Sequence, residues 1–219
     1  MENKPVLNRR EVKRQKTAKT MKGAAARIVI MTAVLLIASF AVLGINRLTD
    51  YIHEKNYRAL SDEEIAYALV RGEEKEAENA DASSGKRLEL ARAACSIVGK
   101  VNYFWGGKSL VLGWDSRWGT PATVTAPGSG STGKVLPFGL DCSGFVDWTF
   151  YNATNGAYLP GRGGGAASQH GYCTNVSWSD ALPGDLVFYA DDSHVGIICG
   201  YDSVGNILVI HCSGGQNGV

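Results

Sequence analysis

The residue best placed to do chemistry is Cys142, which lies between an aspartate and a Ser-Gly pair in the stretch FGLDCSGFVDWTF. The apolar pattern that follows it is typical of a helix, so we expect Cys142 at a helix N-terminus. Unpaired backbone N–H groups and the helix dipole favour negative charge there, which predicts a lowered pKa and a reactive thiolate. The small residues Ser143 and Gly144 would leave N–H groups open to an oxyanion.

A thiol nucleophile needs a base, and two of the four histidines are placed to supply one. His194 begins one predicted strand and His211 ends the next. If residues 202–205 form the hairpin loop between these strands, Gly196 lies opposite His211 and both imidazoles project from one face. One imidazole can then take the thiol proton while the other orients it.

The other interpretations of Cys142 are a buried core residue, half of a disulfide and a metal ligand. The sequence has five cysteines, an odd count without a C-x-x-C pair, so at least one thiol lacks a partner within the chain. Metal ligands could come from His170 with Cys173 or from His211 with Cys212, but neither pair has a convergent partner set. We therefore predict no metal and no cofactor. The five cysteines are Cys95, Cys142, Cys173, Cys199 and Cys212.

Two helices and three short strands are expected to position these side chains. Helix patterns cover residues 84–99 and 142–153, and the runs GDLVFYA, HVGIICGY and NILVIHCS follow as an antiparallel meander. This order predicts an α+β domain. Residues 108–139 are rich in Gly, Ser, Thr and Pro, and we interpret them as a long loop at the cleft edge, outside the core. Trp114 and Trp118 in it are interpreted as packing residues, with a glycan groove as the alternative.

The amino-terminal region has a different composition. Residues 1–27 carry nine Lys or Arg against two Glu, and residues 28–45 are 18 residues without a charge. A basic arm can bind nucleic acid. Here, however, the arm precedes an apolar run of 18 residues, and this pattern predicts a single transmembrane helix with its amino end in the cytoplasm. A cleaved signal peptide and a buried helix are the alternatives. We predict no nucleic-acid partner.

Residues 46–85 are interpreted as an extracellular stalk and linker. A capping box at Ser61 and Glu64 begins a short helix that is expected to end at Gly72. The acidic stretch EEKEAENADASSG follows and is typical of a solvated linker. The domain that holds Cys142 then covers residues 86–219.

Five strings of the sequence, taken in order, resemble one known family. YFWGG, LDCSGFV, LPGDLVFY, HVGI and VIHCS are similar to motifs of the NlpC/P60 family of cell-wall cysteine peptidases. The resemblance implies a papain-like α+β fold, with the cysteine at a helix N-terminus packed on an antiparallel sheet. It implies a cysteine endopeptidase that cleaves peptidoglycan stem peptides, typically between D-γ-glutamyl and a diamino acid. A CHAP-type amidase, an acyl transferase and a non-catalytic wall-binding module are the alternatives.

The resemblance also implies roles for individual residues. Cys142 matches the nucleophile, His194 the general base and His211 the third polar residue of the set. Tyr103 matches a tyrosine that lines the site near the thiol. A third residue of the Asn, Asp or Glu type would suit a CHAP enzyme better, so His211 favours the peptidase.

Two further positions and two departures concern the substrate. Asp141 and Ser143 match residues beside which the amino end of the stem peptide binds, and a carboxylate there would suit a free ammonium group. The family usually has only a few residues between the Gly-Gly pair and the D-C-S-G string, whereas this sequence has 33. We expect these residues to reshape the cleft. The chain ends eight residues after His211, which suggests a truncated sheet. A membrane-tethered domain suits the thick wall of a Gram-positive host.

Overall fold

The computed structural model describes residues 20–21, 31–35, 38–39, 60–79, 84–215 and 217–219. The chain divides into two units, residues 1–56 and 57–219, and the described residues of the first unit are helical. Most of the predicted transmembrane segment 28–45 and of the basic arm 1–27 lies outside the described residues. Across the part of the chain that is described, no helix is both long enough and apolar enough to cross a membrane.

The second unit mixes helices and sheet. Its helices are α1 (Asp62–Asn79), α2 (Ser84–Cys95), α3 (Cys142–Ala153) and α4 (Ala166–His170), with a 3-10 turn at Pro160–Gly163. Its strands are β1 (Pro121–Thr123), β2 (Val135–Pro137), β3 (Leu186–Phe188), β4 (Val195–Tyr201) and β5 (Ile207–Ile210). β1 and β2 form one antiparallel pair, and β3, β4 and β5 form a second antiparallel sheet with β4 in the centre. The predicted helix at Cys142 and the predicted meander are confirmed.

The core lies between β4 and the helices α1, α2 and α3. All seven residues of β4 are buried, because these helices contact the strand while β3 and β5 flank it. On α3, Phe145 and Val146 are completely buried. Burial of an apolar side chain of this size contributes roughly 1.5–3 kcal/mol. This packing fixes the start of α3, and with it Cys142, in the domain.

The β4–β5 hairpin reaches its predicted register by a different route. Its loop covers residues 202–206, one residue more than predicted. A bulge at Cys199 absorbs the extra residue, so the pairing beyond the bulge returns to the predicted offset. Accordingly, the Cβ of His211 lies 3.2 Å from where a Cβ on Gly196 would stand. The loop prediction was wrong by one residue, and the alignment at the histidines is nevertheless the predicted one.

Helix α1 corrects the prediction of a short helix followed by a solvated linker. The capping box at Ser61 is confirmed, but the helix continues past Gly72 and packs against β4. Ala68 is completely buried, and its carbonyl oxygen approaches Gly200 so closely that a Cβ there would lie 1.9 Å away. A glycine inside a helix costs only about 1 kcal/mol relative to alanine, which this tertiary packing offsets. Residues 62–79 are therefore a packed helix of the second unit.

Residues 108–139 correct the prediction of a loop outside the core. They contain the β1–β2 hairpin, and Trp118 is 7% exposed within the main hydrophobic cluster. Its ring lies 5.5 Å from that of Trp148 on α3, in an edge-to-face arrangement. Trp114, which is 56% exposed, packs on Trp118 at 4.9 Å between centroids. The large apolar area of Trp118 and the buried Val124, which is 1% exposed, anchor this Gly-rich segment in the core.

A buried carboxylate also orders this segment. The carboxylate of Asp115 accepts hydrogen bonds from the backbone N–H and Nε of Arg117, each at 3.0 Å, and from Ser109 Oγ at 2.8 Å. The Arg117 side chain is the main reason that the pKa of Asp115 lies well below its usual range. The carboxylate therefore stays ionised and keeps these bonds at neutral pH.

Candidate active site

The N-terminus of α3 is organised by Asp141, its N-cap residue. Asp141 Oδ1 accepts hydrogen bonds from the Gly144 backbone N–H at 2.6 Å and from Ser143 Oγ at 2.9 Å. An aspartate at this position satisfies N–H groups that the helix itself leaves without partners. Cys142 is therefore the first residue of the helix, and it lies between Asp141 and Ser143, which are hydrogen-bonded to each other.

The thiol of Cys142 is buried, and this reverses the predicted direction of its pKa. Burial raises the pKa, and the nearby Asp141 carboxylate raises it further. Backbone hydrogen bonds from Val195 and Ser143 and the charge of Lys108 oppose this without overcoming it. The prediction of a lowered pKa was wrong because the desolvation cost of a buried thiolate outweighs the helix terminus. The resting group is a neutral thiol, and it must lose its proton in order to attack.

His194 and His211 are joined by a direct hydrogen bond. His194 Nε2 lies 2.6 Å from His211 Nδ1, with the two rings nearly perpendicular. Burial lowers the pKa of His194 to about 4, with a smaller contribution from His211, and burial lowers the pKa of His211 as well. Both imidazoles are therefore neutral at pH 7, and a neutral imidazole is a proton acceptor.

The Cys142 thiol lies next to the strand that begins after His194, and next to Tyr103. The Val195 backbone that faces the Cys142 thiol belongs to the residue directly after His194. Tyr103 also lies near the thiol: burial raises the pKa of its phenol, and the neighbouring Cys142 and Asp141 raise it further. The structure thus brings together the predicted residues Cys142, His194, His211 and Tyr103. Their roles in a reaction stay predictions.

Lys108, which the sequence did not predict at the site, contacts Ser143. Lys108 Nζ donates to Ser143 Oγ and to Asp147 Oδ2, each at 2.8 Å, and to the Gly164 carbonyl oxygen at 3.0 Å. It also lies 3.9 Å from Asp141 Oδ1. The predicted binders of a substrate ammonium, Asp141 and Ser143, are therefore already in contact with an ammonium of the chain itself.

One signal in the sequence could have revealed this lysine. Asp147 interrupts the apolar run GFVDWTF and lies one helical turn after Ser143, so its carboxylate is buried with the hydroxyl on one face. A buried carboxylate needs a partner, and a lysine is a common one. The partner comes from Lys108, which is distant in sequence, and a pattern within one helix cannot identify it.

The remaining candidate ligands lie elsewhere. His170 Nδ1 is 2.7 Å from Asp192 Oδ1, and its ring stacks on Phe188. Cys173 is exposed, whereas the thiols of Cys95 and Cys199 are buried against each other at 2.8 Å. Among the residues that the structure describes, no group of three or more His, Cys, Asp or Glu could hold a metal ion.

Comparisons with known proteins place this geometry in context. A probable endopeptidase of Mycobacterium tuberculosis, Rv2190c, is 35% identical over 134 residues, which are 61% of this chain and 25% of that protein. The probable endopeptidase p60 of Listeria seeligeri is 45% identical over 73 residues, 32% of this chain and 13% of that protein. The bifunctional muramidase/DL-endopeptidase CwlT of Bacillus subtilis is 41% identical over 68 residues, 28% of this chain and 19% of that protein. The chain thus spans a quarter or less of these relatives.

A solved structure and a family profile also match this chain. The peptidoglycan hydrolase RipB of Mycobacterium tuberculosis is 26% identical, with a TM-score of 0.38 over 60% of each chain. The profile of the NlpC/P60 family matches residues 99–219, which is more than half of the chain. That range holds the strings on which the resemblance was based, and it holds the thiol, the histidine pair and the tyrosine described above. The chain therefore belongs to the NlpC/P60 family.

Proposed function

We propose that this chain is a peptidoglycan hydrolase, a cysteine endopeptidase that cleaves stem peptides between D-γ-glutamyl and a diamino acid. The observation that carries the proposal is the hydrogen-bonded pair of neutral histidines beside a buried thiol at a helix N-terminus. Family membership supports the reaction class, and the names of the relatives, endopeptidase and DL-endopeptidase, support the bond.

The proposed reaction begins with proton transfer from a neutral thiol. If His194 Nε2–H donates to His211 Nδ1, the lone pair of His194 Nδ1 is left to accept the Cys142 proton. The sulfur then attacks the carbonyl carbon, and the backbone N–H of Cys142 stabilises the oxyanion. The Gly144 N–H, which was expected to take this part, is already bonded to Asp141. His194 returns the proton to the leaving amine, which leaves a thioester on Cys142. Water, deprotonated by the same imidazole, hydrolyses the thioester and frees the thiol.

The proposal is tested by digestion of purified peptidoglycan followed by mass spectrometry of the new termini. We expect a new amine on the diamino acid and a new γ-carboxyl on the D-glutamyl residue. A new amine on L-alanine would instead identify an amidase, and transfer to an added amine would identify an acyl transferase. Binding to the wall without any new terminus would identify a wall-binding module. The Cys142→Ala variant is the control for contaminating hydrolases.

We also propose that residues 28–45 anchor the protein in the cell membrane of a Gram-positive host. The support is the charge pattern, with nine basic residues before 18 residues without a charge. The amino end would be cytoplasmic and residues 46–219 would face the wall. Protease added to wall-stripped cells should then remove the Cys142 domain and leave a membrane-bound stub. Protection of the domain until the membrane is broken would contradict this topology.

A further inference from the structure

We propose that Cys95 and Cys199 are a site of oxidation, at which a disulfide forms and joins the end of α2 to the central strand of the sheet. The proposed hydrolase reaction does not use either thiol, so the inference stands apart from it. The reaction partner is a disulfide of another molecule, either of low molecular weight or carried by a protein, which takes up the two electrons.

The two thiols are in direct contact inside the core. Cys95 Sγ lies 2.8 Å from Cys199 Sγ, and each thiol is the hydrogen-bond partner of the other. A disulfide holds its sulfurs at ~2.05 Å, so the two atoms have to approach by less than ~1 Å for the bond to form. Cys95 is 7% exposed and Cys199 is completely buried. The folded chain therefore holds the two sulfurs together and away from other partners in solution.

Both cysteines are placed by regular elements that pack on each other. Cys95 is the last residue of α2, and Cys199 is the bulge residue of β4, the strand that α2 contacts. The next residue, Gly200, lies against the Ala68 carbonyl oxygen of α1 on the other side of the bulge. Because this bulge restores the pairing of β4 with β5 at the histidines, a bond at Cys199 would also hold that alignment.

The other three cysteines have different surroundings. Cys212 Sγ donates to a backbone carbonyl oxygen at 3.1 Å, and the exposed Cys173 has a backbone carbonyl oxygen at 3.4 Å. Cys142 is the first residue of α3. Within the described part of the chain, Cys95 and Cys199 are the one pair of thiols within hydrogen-bond distance. The geometry therefore selects this pairing over the alternatives.

The bond forms in two exchange steps. One cysteine loses its proton, and its sulfur attacks the disulfide of the oxidant, which gives a mixed disulfide and releases one thiol. The second cysteine attacks the mixed disulfide in the same way, so the Cys95–Cys199 bond forms and a second thiol leaves. The two cysteine protons end on the two released thiols. Since the hydrogen bond to Cys199 and burial raise the pKa of Cys95, thiolate is scarce in the folded chain, and we expect the exchange to occur during folding.

The test refolds the reduced full-length chain in detergent with a series of oxidised and reduced glutathione mixtures. Free thiols are then alkylated in denaturant, and linked peptides are identified by mass spectrometry without reduction. Digestion needs trypsin and a protease that cuts after acidic residues, because no Lys or Arg separates Cys173, Cys199 and Cys212. The main linked peptide should join Cys95 to Cys199. The other three cysteines should be recovered alkylated or bound to glutathione.

Thermal unfolding measures what the bond does. The chain refolded with oxidant should melt at least ~5 °C above the chain refolded without it, because the bond joins residues 104 positions apart and restricts the unfolded chain. Cys199→Ala should lose both the linked peptide and this difference. Cys173→Ala, which alters an exposed cysteine, is the matched control and should keep both.

Three results would overturn the inference. They are free thiols at Cys95 and Cys199 in the most oxidising mixture, a different pairing as the main product, and a linked chain that melts no higher than the reduced one. Peptide mapping of the wild-type chain decides the pairing even if Cys199→Ala does not fold. Cys142→Ala should form the same bond, so failure of the proposed hydrolase activity leaves this result unchanged.

Discussion

The hairpin β4–β5 and the segment 108–139 meet the start of α3 with opposite chemistry. The hairpin supplies two neutral imidazoles whose pKa values burial has lowered. The segment supplies Lys108, a cation with three acceptors around it. Of these two kinds of group, only the neutral imidazoles have a lone pair that can accept the thiol proton, because an ammonium has none. The difference shows that distant segments of the chain supply the start of α3 with proton acceptors on one side and a fixed cation on the other.

The largest effect is expected from removal of the Cys142 thiol, the proposed nucleophile. Cys142→Ala should abolish wall-peptide cleavage while the protein stays folded, because alanine fits a buried first helical position with little strain. Mass spectrometry detects the cleavage products, and thermal unfolding shows whether the variant is folded. Cys173→Ala, which alters an exposed cysteine, is the matched control and should remain active.

The next effect separates the two histidines. His194→Ala removes the proposed base and should lower kcat/KM by ~10²–10⁴-fold. His211→Asn keeps a polar partner for the His194 ring and should cost less. If His211→Asn is the less active of the two, the histidine roles are reversed.

The two tryptophans of residues 108–139 should differ in what they contribute to stability. Trp118→Ala should destabilise the protein by about 3–5 kcal/mol, because it removes a tryptophan that is 7% exposed in the core. Trp114→Ala, in the same segment but 56% exposed, should cost about 1 kcal/mol. Chemical unfolding measures both. If both variants lose the same small free energy of unfolding, residues 108–139 do not contribute to the core.

The smallest effect concerns pH. Since the pKa of His194 is lowered to about 4, kcat/KM should hold well below the ordinary histidine value of 6.5 and fall only near pH 4. The unfolded chain, with ordinary histidines, binds more protons between these values, so stability falls as the pH drops through this window. Circular dichroism at each pH must therefore accompany the rates. An acid limb near pH 6.5 in folded protein would show that the base is not a buried neutral histidine.

The sequence predicted what depends on local pattern. Helix α3, the three-strand meander and the alignment of His194 with His211 follow from periodicity and short loops, and the family resemblance is confirmed by the profile match. What it missed depends on packing between distant segments. Gly72 marks a helix end by pattern, yet the helix continues because β4 covers it.

The electrostatics were hidden for the same reason. Burial opposes the effect of a helix N-terminus on a cysteine pKa, and the burial of Cys142 cannot be read from its neighbours in the chain. Lys108 donates a hydrogen bond to Ser143, which lies 35 positions later in the sequence. The predicted reactive thiolate at Cys142 loses its basis, because the pKa is raised instead.

Trapping of the acyl-enzyme tests whether Cys142 is the nucleophile. Wild-type protein mixed with stem peptide, quenched in acid within a single turnover and digested for peptide mapping, should carry the fragment that ends in D-glutamyl on Cys142. The adduct should be absent from the Cys142→Ala variant. Cleavage without any adduct on Cys142, or an adduct on Cys173 instead, would contradict the proposed nucleophile.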